Sequence, residues 1–176
     1  MLSSVHVMGS YWRDDSDLRS PLGTLVSEAK DLGNPVALER LCHQLSEFVA
    51  GLDLGERMLV VAVPPGPRRN AHPVPALAEA VAAGLGAPLA DVLDRAHGAT
   101  RLRDTPVDRR PMVVAAAGYV VTGDVADRPV VLVDDVILTG TTLGFLAELL
   151  VGAGATEVSA VVACRTRLAS GPSVSG

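Results

Sequence analysis

The spacing of apolar and polar positions predicts two amphipathic helices at the start of the chain. Ser20-Pro21 and Asn34-Pro35 each supply an N-cap residue followed by proline at the first helical position. Apolar side chains then recur every three or four residues, which is the spacing of a helix with one buried face. Gly33 ends the first of these helices. We therefore predict a helical segment before the rest of the fold.

From residue 58 onward the pattern changes to short, continuous apolar runs, which are typical of strands covered on both faces. Strands that alternate with helices over short connections indicate a parallel sheet with right-handed crossovers. The sequence thus predicts an α/β fold with about five mostly parallel strands, and ligands should bind beyond the carboxyl ends of those strands. The predicted strands are 58–63, 87–93, 112–121, 130–134 and 157–163, and the predicted helices between them are 73–85 and 141–151.

The length of 176 residues indicates one domain. Residues 1–17 show no periodicity, and we predict a loose or lightly docked amino terminus there. Residues 18–168 should form the single domain. The tail 169–176, which is rich in serine and glycine, should be disordered.

The amino-acid composition indicates which kinds of partner and which cell compartment to expect. A formal net charge of −5 gives no overall basic field and argues against nucleic acid as a partner. The longest apolar runs fall far short of the ~20 residues that span a bilayer. With no signal peptide visible and two cysteines that we interpret as buried apolar residues, Cys42 and Cys164, we expect a cytoplasmic protein without a membrane partner.

The segment VVLVDDVILTGTT, residues 130–142, carries the chemistry. Asp134 and Asp135 end an apolar strand, and residues 139–142 turn into a helix whose first backbone amides and dipole favour an anion. A few charge-assisted hydrogen bonds, each worth about 1.5–3 kcal/mol, hold a phosphate without a lysine. The carboxylates accept hydroxyls or hold a divalent ion through water. This arrangement indicates a sugar phosphate, with ribose 5-phosphate the natural fit.

Other classes fit this segment less well. A response-regulator receiver also places acidic residues after a strand, but it needs a lysine downstream and none follows Asp135. The chain has no P-loop motif and no histidine or cysteine spacing for a structural zinc. The alternative is an ordinary surface loop with a threonine N-cap, in which the two acidic side chains are only solvated.

The stretch VVLVDDVILTGTTL resembles the phosphoribosyl-pyrophosphate (PRPP) binding motif of type I phosphoribosyltransferases. The resemblance implies that Asp134 and Asp135 bind the ribose hydroxyls, and that Asp135 also stabilises charge developing at the anomeric carbon. It also implies that one loop binds the 5′-phosphate. In that loop Leu138 replaces a small, usually hydroxyl-bearing residue of the family. The loop residues are Leu138, Thr139, Gly140, Thr141 and Thr142.

Two further segments are similar to the ComF-like (competence-associated) branch of this family. Lys30, the only lysine beside fourteen arginines, matches a lysine near the first helix of that branch. The turn after the first predicted strand matches a pyrophosphate-binding loop, in which bidentate guanidinium contacts are strong. The alternative for this turn is an ordinary surface loop with solvated arginines. The turn comprises Pro65, Gly66, Pro67, Arg68 and Arg69.

The arginine-rich stretch 95–111 resembles the flexible loop that closes over PRPP in the family. Arg101 and Arg103 are its candidate catalytic residues, because fixed cations would neutralise the departing pyrophosphate. Asp104 and Asp108 offer the alternative, in which they pair with these arginines on an ordinary charged surface.

The resemblance as a whole implies transfer of the 5-phosphoribosyl group from PRPP to an unidentified small-molecule acceptor, with nucleobases among the candidates. Mg²⁺ would arrive with PRPP and reach Asp134 and Asp135 only through water. One alternative is a non-catalytic regulator that senses PRPP or nucleotides, and another is an accessory protein of DNA uptake. The oligomeric state stays open, a homodimer included.

Overall fold

The computed structural model describes residues 1–14, 16–65, 72–95 and 118–167. Helices and strands alternate through most of this part of the chain. They are β1 (Ser4–Ser10), α1 (Pro21–Asp31), α2 (Pro35–Ala50), β2 (Leu59–Ala62), α3 (Val74–Leu85), β3 (Leu93–Arg95), β4 (Tyr119–Val121), β5 (Pro129–Ile137), α4 (Thr141–Gly152) and β6 (Glu157–Arg165).

Four of the strands form one sheet in the order β1-β6-β5-β2, and every neighbouring pair in it is parallel. The strands β3 and β4 form a separate antiparallel pair. The two longest strands, β5 and β6, lie in the middle of the sheet, and α4 connects them. This is the α/β fold that the alternation of apolar segments predicts.

The helices α1, α2 and α3 cover one face of the sheet, and α4 together with the β3–β4 pair covers the other. On one face Val131 and Val133 of β5 pack with buried residues of α1, α2 and α3. On the other face Val130 and Leu132 pack with α4 and with the β3–β4 pair. Because both faces are covered, the apolar run of β5 is continuous rather than alternating.

The starts of the first two helices are confirmed at atomic detail. The Ser20 side chain accepts a hydrogen bond from the backbone of Gly23 at 2.8 Å. Asn34 caps α2 in the same way, with its side-chain oxygen accepting from two backbone amides. Gly33 has a φ of 63° between the two helices, a conformation that glycine adopts without strain.

The prediction of a loose amino terminus is wrong for residues 4–10. These residues form β1, which pairs in parallel with β6 over most of its length. The strand lies at the edge of the sheet and is mostly half-buried, so its sequence carries only a weak apolar signal. Its pairing depends on β6, which comes last in the chain, and local periodicity does not report such a contact.

Two other strand predictions need correction or lie partly outside the described residues. The run 87–93 forms a single parallel bridge, from Leu89 to Val60, and only Leu93 belongs to a strand, β3. Of the run 112–121, the structure describes residues 118–121, and 119–121 are β4. The predicted disordered tail, 169–176, lies outside the described residues. In the described part of the chain, no helix has the length and apolar character needed to cross a membrane.

Candidate functional site

The acidic pair lies inside β5, near its carboxyl end. The strand was predicted to stop at residue 134, but it continues to Ile137, and its pairing with β6 places Asp134 beside Val162. Side chains of neighbouring strand residues point to opposite faces of a sheet. Asp134 and Asp135 therefore serve two different faces near the carboxyl end of the sheet.

Asp135 lies on the face of the sheet that packs against α1, α2 and α3, which we call the helical face, and it is buried there. Its Oδ1 is 2.5 Å from Nζ of Lys30 on α1, and the two side chains are only 5% and 17% exposed. The pKa of the neighbouring Cys164 thiol is raised to about 12, first by burial and then by the charge of Asp135. Lys30, the sole lysine of the sequence, thus forms an ion pair with the second carboxylate of the motif.

Asp134 is half-buried on the opposite face, near the antiparallel pair. Its Oδ1 accepts a hydrogen bond from the backbone N–H of Asp135 at 2.8 Å. Burial raises the pKa of Tyr119 on β4, the charge of Arg95 lowers it, and the charge of Asp134 raises it. The Arg95 guanidinium lies 5.0 Å from the centre of the Tyr119 ring. Asp134 thus shares its side of the sheet with a cation that is fixed by an aromatic ring.

The loop after β5 leads directly into α4. Gly140 stands at the N-cap position with φ 77° and ψ 3°, which glycine tolerates best. The hydroxyls of Thr139 and Thr141 are 2.8 Å apart. The N-cap Gly140 has no side chain to cap the helix, and the backbone N–H of Thr141 donates to the Thr139 hydroxyl at 3.4 Å. The other first amides of a helix have no partner within it. The amino end of α4 therefore presents backbone donors a few residues after Asp134.

The segment after β1 approaches the same loop. The backbone N–H of Thr166, just past β6, donates to the carbonyl oxygen of Ile137 at 2.8 Å. Trp12 Nε1 donates to the Thr166 hydroxyl at 3.0 Å, and the Trp12 ring meets that of Tyr11 edge-on at 5.1 Å between centroids. The only tryptophan of the chain is thus linked to Ile137 through Thr166.

The predicted pyrophosphate residues are only partly described. Pro65 follows β2, and the backbone N–H of Val63 donates to the carbonyl oxygen of Val133 at 3.0 Å, so this turn begins beside β5. The remaining assignments stay predictions, because those residues lie outside the described part of the chain. They are Gly66, Pro67, Arg68, Arg69, Arg101 and Arg103.

Sequence reasoning missed three features of this site. It assigned no partner to Lys30, although a buried second carboxylate requires a cation and the chain has one lysine. It did not connect Arg95 with Tyr119, because 23 residues separate the two strand ends that pair. It placed Trp12 in a segment without structure. Each of these contacts joins residues far apart in the chain, and spacing alone does not encode such contacts.

Comparison with known families agrees with this geometry. Residues 74–173 match the family model described as the phosphoribosyl transferase domain. The match spans more than half of the chain and includes α3, the acidic pair, the loop and α4. The chain belongs to this family. No curated protein matches the sequence at a significant level.

Solved structures support the fold. One similar structure is an allosteric regulatory enzyme of purine biosynthesis, and another is glutamine phosphoribosylpyrophosphate amidotransferase from B. subtilis. Each is 24% identical with a TM-score of 0.52, over 72% of this chain and 26% of that chain. The chain thus spans about a quarter of the length of these two structures. Orotate phosphoribosyltransferase from Aeropyrum pernix aligns at 27% identity over 74% of this chain and 60% of that chain, with a TM-score of 0.45.

Proposed function

We propose that this protein binds PRPP and transfers its 5-phosphoribosyl group to a small-molecule acceptor, with release of pyrophosphate. One observation carries the proposal: half-buried Asp134 and the amino end of α4 both lie near the carboxyl end of β5, in a chain of the phosphoribosyl transferase domain family. In the reaction the bond from the anomeric carbon to pyrophosphate breaks and a bond to the acceptor forms. The acceptor loses a proton.

The donor's ribose and 5′-phosphate use different groups in this proposal. The acidic pair forms the ribose side, and Asp134 is the member whose carboxylate accepts the hydroxyls. The 5′-phosphate lies at the loop Leu138–Thr142, where backbone amides and the dipole of α4 favour an anion. Leu138 adds no hydroxyl, so backbone donors and the threonines carry the phosphate contacts.

The pyrophosphate side belongs to the two arginine-bearing segments. We assign the turn Pro65–Arg69 to pyrophosphate binding, and Arg101 and Arg103 to neutralising the negative charge that develops on the leaving group. Arg95 is the arginine of the stretch 95–111 that the structure describes, and its guanidinium lies over the Tyr119 ring on the Asp134 face.

In this proposal Mg²⁺ arrives bound to PRPP and has no direct ligand from the protein. The described residues hold no group of three or more side chains that could bind a metal. The two aspartates lie on opposite faces of β5, so they do not chelate one ion together. Mg²⁺ bound to the diphosphate of PRPP would supply charge neutralisation there, and Asp134 would reach it through water.

The proposal also names a class of acceptor and a branch of the phosphoribosyltransferase family. We place the protein in the ComF-like branch on the position of Lys30 and the Pro-rich turn, and we take a nucleobase as the acceptor class to test first. A regulator that binds PRPP without turnover is the second candidate, and Leu138 in the phosphate loop favours it, because one side-chain contact to the phosphate is absent.

Pyrophosphate release separates these two candidates. The protein is mixed with PRPP, Mg²⁺ and each member of a panel of purine and pyrimidine bases, and pyrophosphate is measured by a coupled assay, with Asp134→Asn as the inactive control. A transferase releases pyrophosphate with one class of base. PRPP-dependent thermal stabilisation without release for any base would favour the regulator. Neither stabilisation nor release would refute both.

A further inference from the structure

Trp12 is the aromatic side chain that the two cores of the protein leave out. The chain has one tryptophan, two tyrosines and two phenylalanines. Tyr119 and Phe145 pack in the apolar cluster between the sheet and α4. Tyr11 and Phe48 pack in the cluster on the helical face. Trp12 is half-buried but belongs to neither cluster of the described residues, so core packing does not account for its position.

The ring of Trp12 is held in one orientation. Its Nε1 donates to the Thr166 hydroxyl at 3.0 Å, and the Tyr11 ring meets it edge-on, with 75° between the two ring planes. The backbone of Trp12 forms an antiparallel bridge with Arg19. Because the indole N–H is already bonded, what Trp12 offers a ligand is the flat surface of its ring. A ring that is fixed in advance loses little conformational entropy when a ligand binds to it.

The order of the strands places Trp12 and the turn after β2 on opposite sides of β5. All neighbouring strands in the sheet are parallel, so the segments that follow them meet at one edge. Trp12 follows β1, and Thr166 follows β6 and donates its backbone N–H to the carbonyl oxygen of Ile137 at 2.8 Å. In the order β1-β6-β5-β2, both segments lie on one side of β5, and the turn that begins after β2 lies on the other.

Opposite sides of β5 suit the two groups that exchange places in the proposed reaction. In a displacement at a carbon atom, the incoming atom approaches from the side opposite to the leaving group, because the reacting orbitals must be aligned. The turn proposed for pyrophosphate, Pro65–Arg69, follows β2. Under the proposed function the acceptor therefore approaches from the side of β6 and β1, which is the side of Trp12.

We infer that Trp12 is a binding residue for the acceptor, and that the acceptor is a planar heteroaromatic ring that stacks on the indole. This inference rests on the proposed function and deepens it. Aromatic side chains stack on every base, because every base has a π-face, and they offer no such contact to ammonia or to an aliphatic amine. Trp12 takes no part in the bonds that form and break. It holds the plane of the acceptor while the acceptor nitrogen faces the anomeric carbon.

Nucleoside monophosphates test the inference, because each of them joins a base to ribose 5-phosphate. Calorimetry compares ribose 5-phosphate with AMP, GMP, IMP and UMP in the wild type, in Trp12→Leu and in Trp12→Phe, well below the melting temperature of each. In the wild type the best nucleotide should bind about tenfold more tightly than ribose 5-phosphate. Trp12→Leu removes the aromatic plane, so it should abolish this advantage and leave ribose 5-phosphate affinity within about threefold. Trp12→Phe keeps a plane and should keep most of the advantage.

A control variant and a second readout accompany this titration. Leu18→Ala lies in the same segment, at a side chain that is 64% exposed, and should change neither affinity. In the wild type, acrylamide should quench the fluorescence of the single tryptophan less with a nucleotide bound than with ribose 5-phosphate bound, because a stacked base shields the indole. Equal quenching would overturn the inference even if Trp12→Leu did not fold.

The outcomes separate this inference from the proposed function. A wild type that binds neither ribose 5-phosphate nor any nucleotide refutes the proposed function. A wild type that binds ribose 5-phosphate, and no nucleotide more tightly, overturns the inference alone. Equal weakening of both kinds of ligand by Trp12→Leu also overturns it, because Trp12 would then serve the fold. So do equal losses for Trp12→Phe and Trp12→Leu, because the bond to Thr166 would then matter rather than the ring plane.

Discussion

Asp134 and Asp135 are neighbours in the sequence, yet they lie in different surroundings. Asp135 faces α1, α2 and α3, is buried, and forms an ion pair with Lys30, the only lysine of the sequence. Asp134 is half-buried on the other face, where Arg95 and Tyr119 lie nearby. The comparison shows how one strand end places two carboxylates in different surroundings, because alternation along a strand sends adjacent side chains to opposite sides.

The two faces also differ in what a carboxylate can do. On the helical face the carboxylate of Asp135 forms an ion pair with Lys30. On the opposite face Asp134 is half-buried, and the positive charge of Arg95 lies over the Tyr119 ring nearby. Under the proposed function the donor lies on the Asp134 face, and the helical face lies behind it.

The largest effect should come from removing the charge on the ligand side. We expect Asp134→Asn to weaken ribose 5-phosphate binding about 100-fold, since charge-assisted hydrogen bonds to the ribose hydroxyls are lost. The single tryptophan, Trp12, is linked through Thr166 to Ile137, just before the phosphate loop, and quenching of its fluorescence provides the titration signal. The exposed Asp91→Asn is the control. A loss of less than about threefold for Asp134→Asn would remove this residue from the ribose site.

A pair of glycine variants sharpens the assignment of the phosphate loop. Gly140→Ala places a side chain at a φ of 77°, with its Cβ 3.4 Å from Ile137 Cδ1, and a left-handed conformation costs roughly 1–2 kcal/mol for other residues. We expect ribose 5-phosphate affinity to fall about tenfold along with stability.

Gly144→Ala is the matched control, since the new Cβ meets nothing within 4 Å. It lies inside α4, where alanine is favoured over glycine by up to about 1 kcal/mol, so its melting temperature should rise without a change in affinity. Equal behaviour of the two variants in calorimetry and binding would contradict a special role for the loop conformation.

The thiols report on the helical face. Burial and then the charge of Asp135 raise the pKa of Cys164 to about 12, while Cys42 is only half-buried and its pKa is raised by burial and by Glu79. Thiolate is the reactive form, so iodoacetamide at pH 8 should modify Cys42 first and leave Cys164 unmodified until the protein unfolds. Comparable rates at the two positions, measured by peptide mass spectrometry, would mean that this face is open.

The smallest effect concerns Tyr119 on the ligand side. Asp134 raises the pKa of this phenol and Arg95 lowers it. Asp134→Asn should therefore shift the Tyr119 pKa down, and Arg95→Met should shift it up, as followed by ultraviolet titration in a Tyr11→Phe background. Because the folded-state pKa is raised, the phenol's contribution to stability is complete below the unfolded-state pKa and declines as pH rises through the folded-state pKa. Shifts of the opposite sign would place Asp134 and Arg95 away from Tyr119.

Local patterns predicted most of the fold and the location of the site. The caps at Ser20 and Asn34, the buried strand at 130–134 and the turn at Gly140 are encoded in neighbouring residues, and all of them are present. β1 was missed because an edge strand depends on its partner for definition. The predicted end of this strand at residue 134 was too early, because pairing with β6 extends β5 to Ile137.

The different surroundings of the two carboxylates could not be predicted from the sequence. The motif assigns both of them to ribose, and the structure distinguishes them by the burial of Asp135 and by its contact with Lys30, 105 positions away in the chain. The cost of burying a carboxylate predicts that some cation must be close. It does not say which face of the strand that cation occupies.

Calorimetric titration of the wild type with PRPP and Mg²⁺, compared with ribose 5-phosphate and with pyrophosphate, tests the donor site most directly. The account predicts saturable binding of PRPP at one site per chain, weaker binding of ribose 5-phosphate at the same site, and tighter binding of PRPP when Mg²⁺ is present. No binding of PRPP at millimolar concentration would contradict it, because Asp134 and the loop before α4 would then be parts of the fold without a ligand.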